Sequence, residues 1–105
     1  MPVGFDYIDY ATKFVNNIAK KDIGLRYAKL FGSYAKNTAN SDSDIDILLV
    51  ADKFVGAGFI DNRLIAEKLV KYDIIQVQTY CPKDYLEGDP FIDEINKYAI
   101  NIQVN

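Results

Sequence analysis

Residues 31–49 read FGSYAKNTANSDSDIDILL, and the fold can be read outward from this stretch. Lys29-Leu30-Phe31 closes an apolar strand. Gly32 then lets the backbone turn and lets a ligand come close. Ser33 suits the N-cap of a short helix through Tyr34-Ala35-Lys36, whose free N–H groups, with the Ser33 hydroxyl, form an anion site. Lys36 adds a positive charge one turn on. After ten intervening residues (34–43), Asp44-Ile45-Asp46 runs into the apolar Ile47-Leu48-Leu49-Val50. Strand side chains alternate faces, so Asp44 and Asp46 point the same way, about 7 Å apart at the backbone. Two carboxylates at that distance repel by roughly 2–3 kcal/mol at an effective dielectric near 20. A hard divalent cation between them is the simplest remedy, and Mg²⁺ uses one or two carboxylates together with substrate phosphates. A polar loop accounts for Ser41, Asp42 and Ser43. It does not account for Asp46, an acid inside a strand beside four apolar residues, which needs a partner or a metal.

The chain outside this stretch supplies a frame for it. Phe5, Ile8, Ala11, Val15, Ile18 and Ala19 form one apolar stripe at helical spacing over residues 5–19. Leu25–Phe31 reads as the first strand and Asp44–Ala51 as the second. Lys53–Gly58 is a flexible connection. Ile60–Lys71 reads as a second amphipathic helix, its N-terminus near Asp61-Asn62, with Leu64, Ile65, Ala66, Leu69 and Val70 inward. Ile74–Tyr80 alternates as a third strand and Pro82 breaks it. Lys83–Leu86 is a short helical turn, Pro90 opens a helix through Tyr98, and Ile100–Val104 is a short edge strand.

Composition narrows the chemistry. One hundred and five residues, half of them apolar, suit a single domain over 1–105 with a modest core. No apolar run is long enough for a membrane span, and no signal peptide is visible. The lone Cys81 reads as a small buried residue and fits a reducing cytoplasm. Histidine is absent, which removes Ser-His triads and His-ligated zinc, so any metal is held by carboxylates. A net charge of −3 with scattered Lys and Arg argues against strong unaided nucleic-acid binding.

The Gly-Ser, ten-residue, Asp-x-Asp spacing between apolar strands resembles the signature of the polymerase-beta-like nucleotidyltransferase superfamily. The short length makes the chain similar to the minimal nucleotidyltransferases, which are often partnered with HEPN-domain proteins. The resemblance implies an α/β (α+β) nucleotidyltransferase fold, a small mixed sheet with helices mainly on one side. It implies Mg²⁺ or Mn²⁺ at Asp44 and Asp46, and an NTP, ATP foremost, held by Gly32, Ser33 and Lys36. A HEPN-domain protein or a second copy of the chain is the implied partner.

Family members generally carry a third acid on the third strand, shortly before a Thr-Pro-like step. Here the step is Cys81-Pro82, and counting back gives Gln76. A glutamine offers a carbonyl oxygen but cannot take a proton. In another register, Asp73 or Asp22 completes the site. Lys36-Asn37 stands where the family often has Arg-Gly. Lys keeps the charge without the bidentate fork, and Asn tolerates left-handed backbone. Three readings result: an enzyme moving a nucleoside monophosphate from an NTP to an acceptor, an antitoxin-like module capping a HEPN partner, and a nucleotide sensor.

Overall fold

A computed structural model describes residues 5–104. The first helix, α1, spans Tyr7–Ala19 and starts where the Asp6 carboxylate accepts the Asp9 N–H at 3.0 Å. It buries Ala11, Phe14, Val15 and Ile18, a spacing that lays one stripe on the sheet. Strand β1 is Leu25–Phe31, as the sequence predicts, β2 is Ile45–Ala51, β3 is Ile75–Tyr80 and β4 is Ile100–Ile102. The sheet order is β3-β2-β1-β4. β1 pairs antiparallel with β2 and with β4, while β2 and β3 run parallel.

Strand β2 is central and its side chains are buried on both faces, apart from half-buried Asp46. Ile45, Ile47, Leu49 and Ala51 join Ala28, Leu30 and the α1 stripe in the larger core. Leu48 and Val50 face the other way and meet Tyr80, Ile92 and Ile95 in a smaller one. The smaller core is roofed by α5 (Pro82–Glu87) and α6 (Pro90–Ile95). Asp89 fixes α6: its carboxylate accepts the Ile92 N–H at 2.8 Å and the Tyr80 hydroxyl at 2.8 Å. Burial and that bond to a carboxylate push the Tyr80 phenol up to about 12.

The segment expected to be one helix over 60–71 is instead three short pieces. They are α3 (Gly58–Asp61), a 3₁₀ turn (Asn62–Ile65) and α4 (Ala66–Lys71). Asp61 is the cause. It is fully buried, where its carboxylate accepts the amides of Val55 and Gly56 and the Thr79 hydroxyl. That buried polar knot pins the preceding loop to β3 and rotates the residues after it. Of the expected inner face only Ile65 is fully buried, while Leu64, Ala66 and Val70 are exposed. The last helix also stops at Ile95 rather than Tyr98, and the edge strand at Ile102 rather than Val104. Cys81 is a free thiol, half-buried at the N-cap of α5 rather than in the core.

Candidate active site

The Gly-Ser turn and the acid pair meet at one end of the sheet. Helix α2 covers Gly32–Ala35 and begins directly after the last residue of β1. Its N-cap is Phe31, not Ser33, and no side chain caps it. Ser33 lies within the first turn instead, and its carbonyl accepts the Thr38 amide at 2.8 Å. Asn37 closes the turn at φ 61, the left-handed backbone that its side chain tolerates.

Glycine is required at position 32 for two separate reasons. Its φ is +74, and a Cβ built there would overlap the Asp46 Oδ2. The acid therefore rests directly against the turn. Register explains the approach, because Phe31 pairs with Asp46 across β1 and β2.

Asp46 is half-buried, and Asp44 is exposed one residue before β2 begins. Burial first, and then the Asp44 charge, hold the Asp46 carboxyl above the ordinary carboxylate value. Among the described residues, neither acid forms an ion pair with Lys or Arg. Two neighbouring acids with no cationic partner fit a divalent cation. They supply two carboxylates, and no group of three or more acidic, Cys or His side chains able to hold a metal occurs among the described residues.

The sign of the Asp46 shift gives a stability prediction. The folded state holds this proton more tightly than the unfolded chain, so stability falls as pH rises from the ordinary carboxylate value through the raised one. It stays lowered at pH 7. Asp46→Asn is therefore expected to raise the melting temperature of the metal-free protein at neutral pH, with the gain shrinking once the pH is below the ordinary carboxylate value. Thermal melts across that range check it. A gain of equal size at both ends would contradict this cause.

Gln76 lies opposite Asp46 in the parallel β2–β3 register. The alternatives lie elsewhere. Asp73 is exposed in the turn before β3, where its charge acts on Tyr10. Asp22 is exposed and pairs with Lys53. A cavity of about 290 Å³ opens beside the acid, lined by Phe31, Asp46, Gln76, Val77, Gln78 and Phe91. Phe91, from α6, meets Phe31 edge-on at 5.4 Å.

Sequence reasoning missed Phe91, Gln78 and Tyr98. The Tyr98 hydroxyl accepts the Gly32 N–H at 3.4 Å, across 66 residues of chain. The Lys36 ammonium sits 4.6 Å from the centroid of the Tyr98 ring. No local pattern signals either contact. The one available clue to Phe91 was its place after Pro90, at the start of a helix.

The family model described as nucleotidyltransferase domain matches residues 13–102. No curated protein matches the sequence. Among solved structures, the chain is similar to one described as the crystal structure of the toxin-antitoxin with AMP-PNP. The TM-score is 0.62 and the identity 16%, over 93% of this chain and 73% of that one. At that identity the likeness concerns the fold.

Proposed function

The chain belongs to the nucleotidyltransferase domain family, and on that premise we propose that it is a single-domain enzyme that transfers a nucleoside monophosphate from ATP to an acceptor. The observation that carries this reading is the contact between Gly32 and Asp46, which sets the Gly-Ser turn against one acid of the pair. In the proposed arrangement Gly32 and Ser33 hold the β- and γ-phosphates, with Lys36 adding charge. Asp44 and Asp46 hold Mg²⁺ or Mn²⁺. When bound, the metal offsets the charge gathered between triphosphate and carboxylates. The acceptor oxygen bonds to the α-phosphorus, the α–β bridging bond breaks, and pyrophosphate leaves in line. Gln76 can accept a hydrogen bond from the acceptor hydroxyl but not its proton, which passes to solvent. The half-buried free thiol of Cys81 suits the reducing, ATP-supplied cytoplasm.

One observation favours a second reading. An amide beside Asp46, where the family's third acid is expected, favours a catalytically weak module that pairs with a HEPN-domain protein. Phe59 and Leu86, each 77% exposed, supply apolar surface for such a partner. The similar solved structure, a toxin-antitoxin with AMP-PNP, is in keeping with nucleotide and partner alike.

The experiment is calorimetric titration with Mg·ATP, then transfer from radiolabelled ATP with and without a candidate partner. Ser33→Ala is expected to weaken Mg·ATP by about 1–3 kcal/mol, the net value of a hydrogen bond to a charged group. Equal affinity of Ser33→Ala and wild type would remove the phosphate site. Binding without transfer, both with and without the partner, would favour the module.

A further inference from the structure

Resting on the nucleotide-site reading, we propose that Tyr98 is a positioning residue for the triphosphate, acting through Lys36. Lys36 is exposed at the end of a four-residue helix, and a free lysine there samples many rotamers. Here its ammonium is 4.6 Å from the Tyr98 ring centroid. A ring face attracts a cation without neutralising it, so the charge stays available to an incoming anion. A carboxylate partner would cancel that charge, and among the described residues Lys36 has none.

The same residue marks the place of the anion. The Tyr98 hydroxyl accepts the N–H of Gly32, the first amide of the turn. An oxygen therefore already stands where a phosphate oxygen is expected, and the long 3.4 Å contact is easily exchanged. Tyr98 is half-buried against the Ile92 and Ile95 core, so its ring is set by packing and not by the ligand. The ring holds the cation, and the hydroxyl keeps the amide satisfied until phosphate replaces it.

Titration with Mg·tripolyphosphate tests this without contributions from base or sugar. Tyr98→Leu keeps apolar packing but removes the ring face, and is expected to weaken binding about two- to fivefold. Tyr98→Phe keeps the face and binds at least as tightly as wild type. In a Lys36→Ala background Tyr98→Leu has no further effect, because its influence passes through the missing cation. An unweakened Tyr98→Leu, an equally weakened Tyr98→Phe, or an additive double variant each overturns the proposal. Where Tyr98→Leu does not fold, the Lys36 methylene protons of the wild type decide by NMR: upfield ring-current shifts are expected, and ordinary shifts overturn it. A wild type that does not bind Mg·tripolyphosphate instead overturns the nucleotide-site reading itself, which separates the two failures.

Discussion

A Gly32→Val chain is expected to lose at least about a hundredfold in affinity for Mg·ATP, more than any other single change at the turn. Two costs combine. The φ of +74 is strained for any L side chain and worst for a β-branched one. That strain is worth about 1–3 kcal/mol of stability. In addition, the new Cβ occupies the space of the Asp46 carboxylate, with the Asp46 Cγ only 3.0 Å away. The acid must move off the turn, which separates the proposed phosphate cradle from one of the two carboxylates. Gly32→Ala places the same Cβ and should show most of the loss. Titration calorimetry together with thermal melts separates lost binding from lost folding. A folded Gly32→Val that binds within twofold of wild type would break the link between turn and acid.

Gln76→Asp is expected to raise nucleotidyl transfer by about a hundredfold or more while changing Mg·ATP affinity little. Gln76 pairs with Asp46 from the neighbouring parallel strand, and such strands lie about 4.8 Å apart. A carboxylate there would complete a three-acid cluster, beside which the proposed reaction places the acceptor hydroxyl. Metal stabilisation of developing charge is worth several kcal/mol, and each 1.36 kcal/mol is a factor of about ten in rate. The gain has a cost in the metal-free protein. A third carboxylate joins one that burial and Asp44 already push up, so the variant should melt below wild type and recover part of the difference with Mg²⁺. Transfer to a supplied acceptor and melts with and without Mg²⁺ check both halves. Unchanged transfer with an unchanged Mg²⁺ response would show that position 76 is not where this protein needs its third acid.

What the sequence made legible was local or fixed by strand period. β1 carries its apolar residues between clear turns, so its ends were readable to the residue. Gln76, reached by counting back from Pro82, lies opposite Asp46 in the parallel register. The failures were non-local. Asp61 has the residue type of a helix cap, and only Thr79 and the amides of Val55 and Gly56 make it a buried anchor that breaks the helix after it. Ser33 was matched to its motif but given the wrong local role, because the turn starts earlier, on Phe31. Tyr98 could not be read at all: its partners, Gly32 and Lys36, lie far upstream, and nothing near it marks a site.

Binding of Mg·ATP by wild type and by the double variant Asp44→Asn, Asp46→Asn, measured by titration calorimetry with and without the divalent metal, tests the acid pair and the phosphate turn together. The two changes preserve size and remove both ligand charges. Wild type is expected to bind only with the metal present, and the double variant not at all. Equally tight binding by the two proteins, or wild-type binding that ignores the metal, would contradict a nucleotide site built on Asp44 and Asp46.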